Sequence, residues 1–114
     1  MTREETISLL RRYRRDVYAY SPKRVILPGQ NAWFHICVYG KVLVNELIQR
    51  IRASQDDPIQ MIERFYSDMD FILGESDDDH FVTHRFAAIA EAECGNILRY
   101  LKNIERKKNE DDKT

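Results

Sequence analysis

Apolar residues recur at every third or fourth position through most of this chain, a spacing typical of α-helices with one buried face. The pattern starts after Thr2, whose hydroxyl can accept from the backbone amide of Glu5 while the Glu5 side chain reaches back in a capping box. We expect the first helix to span residues 3–20. It should end there because Pro22 disfavours helical geometry at the residue before it.

The stretch over residues 25–39 admits two interpretations. A short apolar run leads into Pro28 and a glycine, which fits a short strand with a turn or a packed loop. The β-branched and aromatic content of residues 33–39 also favours a strand. However, the helical spacing continues without a break beyond that segment. We therefore predict a second, heavily buried helix over residues 32–53, with a strand or irregular segment as the alternative.

The remaining two helices have clear starts. Asp57 is a suitable N-cap and Pro58 suits a first helical position, so the third helix is predicted over residues 58–73, with Gly74 as its C-terminal stop. A fourth helix is predicted over residues 80–105. Its stripe of large apolar residues comprises Phe86, Ala90, Cys94, Ile97, Leu101 and Ile104.

These elements predict an all-α fold, a compact bundle of about four helices in one domain over residues 1–106. Residues 107–114 are wholly polar and are expected to fray. The chain has 114 residues, of which 43% are hydrophobic, so it can bury a core without a metal or disulfide. No cofactor is predicted.

Two features bear on the location of the protein. Cys37 and Cys94 are isolated in apolar surroundings, which favours buried, reduced thiols and a cytoplasmic protein. The longest nearly apolar run, residues 32–44, is shorter than the roughly 20 residues that a bilayer span needs. We predict no membrane association.

Charge is strongly segregated although the net charge is only −1. Residues 1–24 carry seven basic and three acidic groups, and residues 55–80 carry nine acidic groups and one basic group. The basic segment favours a nucleic-acid-associated regulator as the alternative function, because guanidinium groups pair with phosphates. If the basic and acidic segments met between subunits, a symmetric dimer would result. The candidate nucleic-acid-binding residues are Arg11, Arg12, Arg15, Lys23 and Arg24.

Signals for catalysis or metal binding are weaker. His80 and His84 stand four residues apart, a helical spacing that can hold one metal ion, so a metal-dependent helical enzyme is a third hypothesis. The acidic pairs at 68 and 70 and at 91 and 93 diverge on a helix, since residues two apart do not face each other. No phosphate-binding loop or nucleophile motif occurs. We therefore do not predict an enzyme.

The fourth helix carries the leading functional prediction. Its large apolar stripe lies on one side, and small residues lie almost opposite, where a second helix can approach closely. We predict a small non-enzymatic protein-interaction or regulatory module that uses this helical surface to bind a protein partner or a second copy. The predicted interface residues are Phe81, Ala88, Ala92 and Gly95.

Overall fold

The computed structural model describes residues 1–19, 28–75 and 81–112, with backbone only at 28–34, 81–84 and 112. The described ranges contain four α-helices. They are α1 (Arg3–Val17), α2 (Pro28–Ala53), α3 (Pro58–Glu75) and α4 (Phe81–Asp112). No strand occurs in the described ranges. The predicted all-α bundle of about four helices is confirmed, and none of the described helices is long and apolar enough to cross a membrane.

Local capping chemistry accounts for two helix starts. The Thr2 hydroxyl accepts from the Glu5 amide at 3.1 Å, as predicted. At the start of α3, the Asp57 carboxylate accepts from the Gln60 amide at 3.1 Å. Each bond satisfies a backbone donor that has no partner within its own helix. The Glu5 carboxylate pairs with Lys108 at 3.3 Å, which joins α1 to the far end of α4.

Helix boundaries differ from the predictions where tertiary packing intervenes. Helix α1 ends at Val17 because Tyr18 turns into the core, where its side chain is fully buried. Helix α2 starts at Pro28, so residues 28–39 are helical and only 25–27 of the undecided stretch lie outside the described residues. Proline fits a first helical position because it needs no hydrogen-bond acceptor there.

Two helices also run further than predicted. Helix α3 passes through Gly74 to Glu75, and no described glycine adopts a positive φ, so Gly74 is not the left-handed stop that the sequence suggested. Helix α4 continues to Asp112, through most of the polar segment 107–114 that was expected to fray. Within this polar end, Lys108 forms an exposed ion pair with Glu5 of α1.

One hydrophobic core runs through all four helices. Helix α3 packs mainly on α4 and α1 mainly on α2, while α2 also contacts α4. Helices α1 and α3 therefore occupy opposite corners of the bundle. The fully buried large side chains include Leu10, Tyr18, Leu43, Leu47, Ile51, Ile62, Ile97 and Leu101.

Candidate functional site

The small-residue flank of α4 is only partly open. Ala88 and Ala92 are exposed, but Gly95 is half-buried. A Cβ added at Gly95 would lie 3.8 Å from Cε2 of Tyr66, so α3 of the same chain already covers this end of the flank. Phe81 begins α4, and its side chain lies outside the described part. Ala88 and Ala92 are thus the open members of the predicted interface.

The seam between α3 and α4 borders this flank. Tyr66 stays 36% exposed where it lies over Gly95. One turn further along α3, the Asp70 carboxyl interacts with Glu91 of α4. Partial burial, and then the adjacent Asp70, raise the pKa of Glu91. The open alanines therefore lie beside an aromatic edge and a pair of facing carboxyl groups.

The acidic residues near the seam are distributed as the helical geometry requires. The carboxylates at 68 and 70, and those at 91 and 93, are two residues apart on one helix, so the members of each pair do not face each other. Asp70 and Glu91 meet across two helices instead, a contact that the sequence analysis missed. Asp68 is exposed, and Glu93 turns towards α1. No described group of three or more His, Cys, Asp or Glu side chains is arranged to hold a metal ion.

Glu93 belongs to a polar contact between α1 and α4 in the interior. The buried Tyr18 hydroxyl donates to Glu93 Oε1 at 2.6 Å, and Asn96 Nδ2 donates to Glu93 Oε2 at 3.0 Å. Burial, and then the hydrogen bond to Glu93, raise the pKa of Tyr18. The Tyr13 ring meets Tyr18 edge-on, with centroids 5.6 Å apart. Since Tyr18 has no access to solvent, we interpret this contact as an anchor between helices.

The arginines of α1 form a basic face. Arg11, Arg12 and Arg15 are exposed and, with Ser8 and Arg14, line one shallow depression. Arg14 is half-buried and donates to Asn45 of α2.

Only one acidic residue of α1 pairs with these arginines. Asp16 Oδ1 lies 2.9 Å from Arg15 Nε, and Asp16 Oδ2 lies 3.7 Å from Arg12 Nε. The other two candidates for nucleic-acid binding, Lys23 and Arg24, lie outside the described residues.

The solvent-facing side of α3 presents an aromatic residue that the sequence analysis did not select. Phe71 is 68% exposed, the most exposed large hydrophobic side chain in the described part. Asp68 and Glu75, three residues before and four after it, lie on the same side of the helix and are also exposed. The sequence did contain a signal, because position 71 does not share the helical face on which Ile62, Phe65 and Met69 are buried.

The histidine and cysteine predictions have different outcomes. His80 lies outside the described residues, and so does the side chain of His84, which leaves the metal hypothesis untested. Cys37 and Cys94 are both buried, as expected, and they form no disulfide with each other. Burial raises the pKa of the Cys94 thiol to about 12. A thiol in this environment is a poor nucleophile at neutral pH, because it stays protonated.

Comparison of this chain with known protein families, with curated proteins and with solved structures gives no match. What the protein does is therefore inferred from its own residues.

Proposed function

We propose that this chain is a small non-enzymatic protein-interaction or regulatory module that acts through the outer flank of α4. The observation that carries the proposal is the contrast between the two flanks of one helix. Ala90, Cys94 and Ile97 are buried in the bundle, whereas Ala88 and Ala92 face solvent. A partner helix can approach closely over small side chains.

The surroundings of the alanines suit a protein partner. Tyr66 adds a partly exposed ring with a polar hydroxyl, and tyrosine is enriched at protein interfaces because it offers both apolar area and a hydrogen bond. The partner is a second protein or a second copy of this chain. A cytoplasmic location belongs to the same proposal, supported by two buried cysteines that form no disulfide with each other.

Replacement of Ala92 by arginine tests this surface. Ala92 is exposed, so Ala92→Arg should leave the fold intact while the bulky, charged side chain prevents close helix approach. The matched control is Ala53→Arg, which places the same side chain at an exposed alanine of α2. Self-association is measured by sedimentation velocity, and partner binding by capture from the native host with wild type and both variants.

We expect Ala92→Arg alone to lose the interaction. If wild type and both variants are equally monomeric and capture the same proteins, the flank of α4 is not the interaction surface.

A second candidate function is nucleic-acid association through α1. It is supported by the single depression that Arg11, Arg12, Arg14 and Arg15 share. Binding of duplex or single-stranded oligonucleotides should weaken as salt rises, because phosphate contacts release counterions. Arg11→Glu combined with Arg15→Glu should abolish this binding. No binding at low ionic strength would exclude this function.

A further inference from the structure

Phe71 and its neighbours form an exposed surface, the Phe71 face, defined by Asp68, Phe71 and Glu75. A phenylalanine ring that is 68% exposed leaves most of its apolar area in water. Among the described residues, Asp68 and Glu75 have no ion-pair partner, whereas Glu63 of the same helix pairs with Lys102 at 3.0 Å. The Phe71 face therefore has both apolar area and negative charge available for another molecule.

The α1 depression has complementary properties. It is defined by Ser8, Arg11, Arg12, Arg14 and Arg15, so a small side chain lies among several guanidinium groups. The negative face of an aromatic ring attracts a guanidinium group, and carboxylates at the edge of the ring can pair with the remaining arginines.

We propose that the Phe71 face of one copy docks on the α1 depression of a second copy of this chain, with the Phe71 ring between the guanidinium groups. Asp68 and Glu75 then pair with arginines at the rim. Charge complementarity selects this occupant, since the acidic face and the basic face belong to the same chain.

The arrangement of the helices determines the symmetry of this assembly. The two complementary faces lie on α1 and α3, which hardly touch each other within one copy, and both faces are exposed. A copy that offers its Phe71 face to a neighbour keeps its own α1 depression free on the other side. Such head-to-tail contacts build open chains or closed rings, and differ from the symmetric dimer considered from the sequence.

The test uses two complementary variants of the full chain. The first, Asp68→Lys with Phe71→Ala, removes the Phe71 face and keeps the α1 depression. The second, Arg11→Glu with Arg15→Glu, removes positive charge from the α1 depression and keeps the Phe71 face. All four positions are exposed, and circular dichroism verifies that both variants fold. Mass distributions are measured by sedimentation velocity in about 25 mM and about 500 mM salt, because exposed charge pairs weaken as screening increases.

The expected results are specific to a head-to-tail contact. Wild type should grow beyond a dimer as concentration rises in low salt and should dissociate in high salt. Each variant alone should lose this growth beyond a dimer, and an equimolar mixture should form a complex that neither variant forms alone and that does not grow further. Phe71→Ala alone should weaken association by about tenfold. Val42→Ala, which changes an exposed apolar side chain on α2, should have no effect.

Several results would overturn the proposal. They are a wild type that stays monomeric in low salt, growth that stops at the dimer, or a mixture of the two variants that does not associate. Ala92→Arg separates this assembly from the proposed function of the α4 flank. If association is lost in Ala92→Arg and retained in Phe71→Ala, the contact runs through α4. Oligonucleotide binding by a chain that never self-associates also refutes the proposal.

Discussion

Replacement of Gly40 by alanine should destabilise the protein although it adds a better helix former to the interior of α2. A Cβ built at Gly40 would lie 2.5 Å from Cε1 and Cζ of Tyr18. Carbon atoms that are not bonded pack at about 3.5–4.0 Å, so the ring must move by about 1 Å. The Tyr18 hydroxyl lies 2.6 Å from Glu93, and the same movement takes it out of hydrogen-bond range.

The magnitude follows from three opposing contributions. Overpacking of a close-packed core costs about 1–3 kcal/mol. Loss of a hydrogen bond to a charged group costs about 1.5–3 kcal/mol. The gain in helix propensity from glycine to alanine offsets about 1 kcal/mol of this. The free energy of unfolding should therefore fall by about 1.5–5 kcal/mol in Gly40→Ala.

Urea unfolding followed by far-ultraviolet circular dichroism measures the change. The midpoint should shift to lower urea with an unchanged slope, since the surface exposed on unfolding is the same. The other described glycines supply controls. A Cβ added at Gly74 has no neighbouring atom within 4 Å, and a Cβ added at Gly95 makes only an ordinary van der Waals contact at 3.8 Å with the Tyr66 ring. Gly74→Ala and Gly95→Ala should both be neutral or stabilising by up to about 1 kcal/mol.

The same substitution in a variant that lacks the Tyr18 ring tests whether the stability change of Gly40→Ala reverses its sign. In Tyr18→Val the ring is absent, so Gly40→Ala should raise stability by up to about 1 kcal/mol. The account of Gly40 is wrong if Gly40→Ala stabilises the wild type, or if its effect is the same with and without the Tyr18 ring.

Three further predictions concern groups with shifted pKa values. Tyr18→Phe should cost about 1.5–3 kcal/mol in urea unfolding, because Glu93 loses a hydrogen-bond donor; an unchanged midpoint would contradict an energetic role for this bond. Burial raises the pKa of Cys94 from an ordinary 9.0 to about 12, so its contribution to stability is complete below pH 9 and is lost as pH rises towards 12. The slope should be about 1.4 kcal/mol per pH unit, and Cys94→Ala should remove it from the alkaline stability profile. Asp70→Asn should lower the pKa of Glu91, because a negative neighbour is removed; carboxyl titration by NMR should show a clear decrease, and no change would refute the carboxyl contact.

The sequence predicted features that depend on nearby residues. The Thr2 and Asp57 caps form as expected, because each involves a side chain and an amide three residues later. The buried stripe of the fourth helix, including Cys94 and Leu101, also follows from helical spacing alone.

Features that depend on contacts between distant residues were not predicted. Helix α1 stops before its predicted end because Tyr18 fits against Gly40 and bonds to Glu93, which lies 75 residues away. The contact of Asp70 with Glu91 depends on the relative position of α3 and α4, which the periodicity of either helix does not determine.

The order in which the helices pack determines where the basic residues of α1 and the acidic residues of α3 lie in the folded protein. When four helices follow one another through short connections, each packs beside its neighbours in sequence, and the first and third helices lie diagonally. In this chain, the basic α1 packs mainly on α2 and the acidic α3 mainly on α4, so α1 and α3 hardly touch each other. Arg12 and Arg15 pair with the neighbouring Asp16, and Arg14 donates to Asn45 of α2. Because the fold keeps the two faces apart, their opposite charges cannot neutralise each other within one molecule and remain available to solvent or to a second one.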